Sequence, residues 1–476
     1  MNKSTSAALY TLVSVFFFWG FVAASNDILI PVFKEELQLE QWQSQMVSFA
    51  FYVAYTIGSL GYVLFSKLNR SDLLNRIGYK NGIALGLLIS AAGTLLFYPA
   101  AEQASFSLMI TGLFIVGLGF SLQQTVANPL IINLGDSSKG AQRLSLAGAV
   151  NNVGTTIGPL LISYAIFGNV GGAPASGIES VKVPYLILGG AFALMAVVFK
   201  FSGIPDRIED TAETVADIPT SSSSGALAFK QLTLGMIAIF VYVGVEVSTA
   251  SNLPEFMRQE LQVETRSISP YISLYWGSLM IGRWAASVGA FQLNGTRRLL
   301  MRVVMPYLAF IFFLAVNRMA GNEMESFYVY AWVILFMIAA DILSKDDPAR
   351  QLFIYSLAGI IALFTGILTE GWTSVFALIS VGLFCSTLWP CIFTLAIAGL
   401  GKHTNNGAGL LIMMIMGGGI ISLLQGYLSA DGLLGIRWSY LVGVACFLYL
   451  AWYAFKVRGV LKQQGVQFTQ PAGGSH

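Results

Sequence analysis

The sequence predicts an all-α, polytopic membrane protein with about fourteen transmembrane helices. Three observations carry that fold class: 55% of the 476 residues are hydrophobic with a mean hydropathy of +0.70, only 11% are charged, and long apolar runs recur along the chain. A run of about 20 apolar residues crosses about 30 Å of hydrocarbon as a helix, because a helix satisfies its own backbone polar groups there. Such a composition excludes a soluble cytosolic enzyme. The 26 basic and 24 acidic residues leave a net charge of +2, so no concentrated basic face for nucleic acid is expected. Cys385, Cys391 and Cys446 all fall in apolar runs, and His403 and His476 are the two histidines. A disulfide framework, a zinc site, a histidine proton relay and a bound cofactor are therefore not expected.

The apolar runs cover residues 7–32, 44–66, 81–101, 105–134, 144–167, 183–199, 232–253, 268–293, 299–316, 327–343, 352–368, 375–400, 407–428 and 439–455. The first is too long for a cleavable signal sequence and continues past Val22-Ala23-Ala24, so it reads as a retained span. With the N-terminus inside and every run crossing, nineteen of the 26 lysines and arginines fall on the inner side, among them those of 67–80 and 139–143. Six fall outside and Arg283 lies within a span. That asymmetry predicts a multi-pass protein of the cell (inner) membrane with both termini cytoplasmic.

Residues 205–230 form the one long polar segment, with five acidic residues, two prolines and the run Ser221 to Ser224. Such a segment cannot bury a core and reads as a flexible linker. It divides the chain into an N-terminal six-helix bundle, 1–204, and a C-terminal bundle, 231–476, containing eight spans. No loop is large enough for a soluble catalytic or sensor domain.

The two parts echo each other. The first span ends AASNDILIPVF and the first span after the linker ends STASNLPEF, and Pro129 in GFSLQQTVANPLIINL has a counterpart in Pro390 of GLFCSTLWPCIFTL. Parallel repeats of membrane helices place a substrate site near the midplane between the halves, often where Pro or Gly interrupts a helix. Matching the basic loops after the second and eighth spans makes the surplus pair an inserted hairpin at about 299–343, expected at the periphery of the second half.

An ionisable group at the centre of a span costs roughly 2.5 to 3.5 kcal/mol on insertion scales, so each needs a partner or a task. Asp27 in the first span and Glu246 in the seventh have no lysine or arginine near them in sequence and are read as functional. Arg283, nearer a helix end, is expected to snorkel or to hold a helix end. Gln124 shares a helix face with Asn128, Asn151 with Thr155, and Asn152 with Thr156. Amides donate and accept from one side chain, which suits a ring of sugar hydroxyls; for Asn128 and Asn152, interhelical hydrogen bonding is an equal alternative. Trp19, Trp276 and Trp389 are available to stack on a sugar ring, packing being the commoner role except for Trp389 beside Pro390.

FFFWGFVAASNDILIP, TVANP after Gln124, RLSLAGAVNNVGTTIGP, YVGVEV, YWGSLMIGR, GLFCSTLWPCIFTLAIAGLG and GAGLLIMMIMGGGI together resemble the fucose, galactose and glucose symporter family of the major facilitator superfamily. The resemblance spans most of the chain, the hairpin lying outside the usual twelve-helix plan. It implies two six-helix bundles and no enzymatic activity. In fucose-type proton symporters an acidic residue in the first helix matches Asp27, but the fourth-helix glutamate is replaced here by Gln124. Gln124, the GTT after the asparagine pair and the YVG-x-EV of the seventh helix resemble the glucose/galactose branch, some members of which are driven by sodium. The implied substrate is a neutral hexose bound by Asn26, Asp27, Gln124, Asn151 and Trp389. The implied partners are a co-transported sodium or proton coupled through Asp27 and Glu246, with no other metal. Sodium is modestly favoured because one proton carrier is missing, and the protein is expected to work as a monomer. An uncoupled sugar facilitator and a fucose-type proton symporter are the alternatives.

Overall fold

A computed structural model describes residues 8–22, 41–68, 73–134, 136, 139–167, 182–204, 206, 225–263, 268–291, 293, 295–430 and 432–465. Among them, helices follow the fourteen apolar runs. The first bundle comprises α1 (Ala8–Val22), α2 (Gln41–Leu68), α3 (Tyr79–Glu102), α4 (Phe106–Asn133), α5 (Gly140–Phe167) and α6 (Lys182–Lys200). The second part comprises α7 (Lys230–Leu261), α8 (Ser269–Ser287), α9 (Gly295–Met319), α10 (Tyr330–Ser344), α11 (Pro348–Leu368), α12 (Gly371–Ile397), α13 (Gly401–Leu428) and α14 (Leu441–Gln463). Eleven helices among the described residues are long and apolar enough to cross a membrane unaided. α1 falls outside that set by the length of its described part, and α5 and α8 because they carry polar residues, including Asn151, Asn152 and Arg283. α5 and α8 are the helices that face each other between the bundles.

Local chemistry sets the ends. Ser105 caps α4 by accepting the Leu108 N–H, and Asp347 caps α11 by accepting from Ala349 and Arg350 with Pro348 in the first turn. Arg143 closes α4 at its other end, its guanidinium donating to the carbonyls of Ile131 and Ile132 that the last turn leaves without helical partners.

Small residues let the helices approach closely, as membrane packing requires. A Cβ on Gly154 of α5 would lie 2.3 Å from the Phe17 carbonyl oxygen of α1, and one on Gly417 of α13 would lie 2.0 Å from the Phe240 carbonyl oxygen of α7. The first and fifth helices of each half therefore meet backbone to backbone, once the hairpin is set aside. The correspondence extends further: α3 packs between α4 and α6 as α11 packs between α12 and α14, and α2 packs on α4 as α8 packs on α12. This is the expected pair of six-helix bundles.

The inserted hairpin is α9 and α10. It lies against α8, α11 and α12 and leaves Leu308, Ile311, Trp332 and Phe336 exposed on its outer face. Its attachment is polar and sits at the end with the basic loops: Arg302 pairs with Asp341 at 3.4 Å and with Asp346, and Arg298 pairs with Asp346 at 2.7 Å. Gln351 of α11 donates to the other Asp341 oxygen at 3.2 Å.

The two prolines that echo each other act differently. α4 runs through Pro129 without interruption, whereas α12 breaks at Ser386-Thr387, just before Pro390. Pro390 has no N–H to give the carbonyl four residues earlier, which is that of Ser386.

Candidate functional site between the bundles

The polar residues converge where α1, α2, α4 and α5 of the first bundle face α7, α8 and α12 of the second. Gln124, Asn151 and Glu246 at mid-helix, Arg283 one turn from the end of α8 and Trp389 just past the break in α12 are all half-buried, although their helices are otherwise packed or apolar. Polar groups that keep accessible surface at that depth line a protein-walled space rather than lipid.

On the first-bundle side, Gln124 donates to the Tyr55 hydroxyl of α2 at 2.8 Å. Asn151 donates to the Phe16 carbonyl of α1 at 2.9 Å, a bond that depends on the close approach of α1 and α5. The adjacent Gln123 is fully buried: it accepts from the Trp19 indole at 2.7 Å and donates to Ser90 at 2.9 Å. The Gln123-Gln124 pair thus splits into one glutamine that ties α1 to α3 and one that faces the interior. Asn128 is buried, and its amide nitrogen has no partner among the described residues. Asn26 and Asp27 lie outside the described residues.

On the second-bundle side, Tyr242 donates to the Glu246 carboxylate one turn along α7, and Tyr275 of α8 donates to the Glu246 carbonyl at 2.8 Å. The Trp389 ring follows the break in α12 and lies 6.3 Å from the Tyr242 ring and 5.7 Å from that of Phe393. Trp276 is 42% exposed and stands four and seven residues before Met280 and Arg283, on the α8 face that meets the first bundle.

Arg283 joins the two sides. Its Nε donates to the Ser386 carbonyl at 3.1 Å, the acceptor that Pro390 leaves without a helical donor, and its Nη1 donates to Asn152 Oδ1 across the bundles at 2.7 Å. The expectation that Arg283 holds a helix end is met at Ser386; its reach to Asn152 is additional. Thr156 adds a contact between α5 and α8, its hydroxyl lying 3.8 Å from the Met280 sulfur.

Further contacts between the bundles lie at the end carrying the basic loops. The Tyr79 hydroxyl donates to Asn405 at the start of α13, and Gln142 of α5 donates to the Asp346 carbonyl at 3.3 Å. The bundles are closed together at that end.

Sequence reasoning missed Tyr242, Tyr55 and Ser386. Tyr242 was accessible to it, since four residues separate it from Glu246 on one helix face. Tyr55 and Ser386 carry no such signal, because one acts across helices and the other through its backbone. The described residues contain no cluster of His, Cys, Asp and Glu suited to a resident metal ion.

Comparison with known proteins agrees with this architecture. Residues 11–344 match the Major Facilitator Superfamily profile. The chain is 32% identical over 455 residues to a glucose/galactose transporter of Brucella abortus (strain 2308), covering 95% of this chain and 94% of the relative. It is 27% identical to the L-fucose-proton symporter of Escherichia coli (strain K12), with 93% and 91% covered. Its fold matches the crystal structure of a Major Facilitator Superfamily transporter, FucP, in the outward conformation, with a TM-score of 0.72 and 24% identity over 96% of this chain and 99% of that one. With its paired six-helix bundles and an interior polar site between them, the chain belongs to the Major Facilitator Superfamily and is a multi-pass membrane transporter, not an enzyme.

Proposed function

We propose that this transporter imports a neutral hexose of the glucose or galactose kind, coupled to a cation, by alternating access of a site between its two bundles. The observation that carries the reading is Glu246, a half-buried carboxylate at mid-helix whose hydrogen-bond donor, Tyr242, has its ring 6.3 Å from that of Trp389, in a molecule whose first bundle keeps the amides of Gln124 and Asn151 half-buried at mid-helix. Amides and tyrosine hydroxyls suit sugar hydroxyls, and an aromatic face suits the apolar side of a pyranose. A carboxylate among oxygen donors suits a hard cation; the coordination logic of calcium and magnesium extends to sodium.

Asn26, Asp27, Gln124, Asn151 and Trp389 are assigned to the sugar, and Asp27 and Glu246 to the cation. Sodium is favoured over the proton because Gln124 replaces the carboxylate expected of a fucose-type proton symporter. The names of the Brucella relatives support a glucose or galactose substrate, and the name of the L-fucose-proton symporter supports the proton alternative. We assign 1–204 and 231–476 to the moving bundles and 205–230 to their linker. Both termini are placed in the cytoplasm and the protein in the cell inner membrane as a monomer, the basic loops marking the inner side.

Uptake of labelled glucose, galactose and fucose into proteoliposomes, under separately imposed sodium and proton gradients, tests the proposal. Concentrative glucose or galactose uptake that follows sodium is expected. Uptake following pH alone would transfer the chain to the proton-coupled alternative, and equilibration without accumulation would make it a facilitator.

A further inference from the structure

The hairpin of α9 and α10 has no counterpart in the first bundle, yet the turn that follows it stands at the contact between the bundles. α10 ends at Ser344 and α11 begins at Pro348, so Lys345, Asp346 and Asp347 alone join them. Lys345 and Asp346 are both left-handed, at φ 51° and 59°, a region that residues other than glycine adopt rarely and keep only where their surroundings hold them. Here the holders are arginines of α9, four residues apart on one helix face: Arg298 pairs with the Asp346 carboxylate at 2.7 Å, and Arg302 pairs with it too. Arg302 is buried and Arg298 half-buried, so water screens these pairs less than it would a surface pair. The turn so fixed receives a side chain of the other bundle. Gln142, in the first turn of α5, is buried and donates to the Asp346 carbonyl at 3.3 Å. Its stem fills a notch at Gly289, just past the end of α8: a Cβ there would lie 2.5 Å from Gln142 Cγ and 3.4 Å from Asp346 Oδ1. First bundle, second bundle and hairpin therefore meet at one point at the basic-loop end. The Gln142 amide oxygen is buried there without a partner among the described residues, so the closed contact carries a cost of its own, which suits a catch that must open.

We propose that the inserted hairpin latches the basic-loop end: Arg298 and Arg302 hold the Asp346 turn in the shape that receives Gln142, and so favour the conformation closed at that end, the one observed. Opening at that end draws α5 away from the turn, breaks the Gln142 bond and empties the notch at Gly289. The hairpin thereby sets the balance between the two conformations from outside the site. The inference rests on the alternating-access reading above and names an element that regulates it.

The test is the distance between nitroxide spin labels on Arg76→Cys and Lys402→Cys, exposed positions of opposite bundles at that end, in the full chain reconstituted in lipid vesicles with and without galactose. Pulsed electron paramagnetic resonance reads the distance distribution, and the native Cys385, Cys391 and Cys446 are buried away from the label. In the parent protein short distances should predominate. Gln142→Ala leaves the hairpin's ion pairs intact, and Asp346→Asn tolerates the left-handed turn but gives up both arginines. Each should raise the ratio of long to short distances by about fivefold, the effect of one hydrogen bond. The double variant should open no further than Gln142→Ala alone, because both changes undo the same contact. A merely structural attachment predicts that Asp346→Asn lowers the thermal midpoint and leaves the distances as they were; that result overturns the proposal, as does an unchanged distribution in Gln142→Ala or a further opening in the double variant. If Asp346→Asn does not fold, Arg298→Gln decides by the same criterion. One fixed distance in every protein, with sugar and without, overturns alternating access, and this inference with it.

Discussion

In the proposed coupled mechanism, Glu246 is the residue on which transport turns. It is held in two ways that leave a carboxylate oxygen for another ligand: Tyr242 donates to one oxygen, and Tyr275 fixes the helix by donating to the backbone carbonyl. Glu246→Gln preserves those donors and removes the charge, so it should abolish gradient-driven accumulation in proteoliposomes while leaving the protein folded by circular dichroism. Trp389 occupies a different role, presenting an aromatic face after the helix break with Tyr242 and Phe393 beside it. Trp389→Ala should raise the KM for sugar by about tenfold or more, the scale of an aromatic contact worth about 1.5 kcal/mol, without changing which ion drives uptake. A Trp389→Ala protein with unaltered KM would remove that ring from the sugar site.

At the scale of elements, the approach of α1 to α5 and the attachment of the hairpin make separate predictions. Gly154→Ala puts a Cβ where the Phe17 carbonyl oxygen already stands, 2.3 Å away, so α1 must shift. The cost should be about 1–3 kcal/mol, seen as a lower thermal midpoint in detergent, and the Asn151 bond to Phe16 should be lost with it. Gly61→Ala, a position in α2 with nothing within 4 Å of the new Cβ, should leave the midpoint unchanged. In the hairpin, Arg302→Met strips Asp341 of its close cation while Asp341 remains buried, and should destabilise the fold by about 3 kcal/mol. Adding Asp341→Leu should restore most of that loss, because removing both members of a buried pair is far less costly than removing one. The same network reaches the bundle contact through the Asp346 carbonyl and Gln142, which gives the hairpin a physical connection to the closed end despite its peripheral position.

Across the whole molecule, the fold was legible because a bilayer leaves few choices: apolar runs of fixed length locate the helices, and a surplus pair of runs locates the hairpin. Glu246, Gln124, Asn151 and Trp389 were legible because polarity and ring size stand out against an apolar span. Tyr55 and Ser386 were not, since a tyrosine in an apolar helix and a carbonyl freed by a proline four residues on acquire meaning only when the helices are assembled. Arg283 was half legible: its helix-end role could be anticipated, but its partner Asn152 lies 131 residues away in the other bundle. The bundles meet at the basic-loop end through Tyr79 with Asn405 and Gln142 with Asp346, the arrangement a carrier needs while its site is closed toward that side. The most direct measurement is the plateau ratio of internal to external labelled galactose in proteoliposomes with an inward sodium gradient, before and after an ionophore collapses it, for the unmodified protein and for Glu246→Gln. The account predicts a ratio well above unity that falls to unity on collapse, and unity throughout for Glu246→Gln. A ratio of unity in the unmodified protein, or the same accumulation in both, would contradict it.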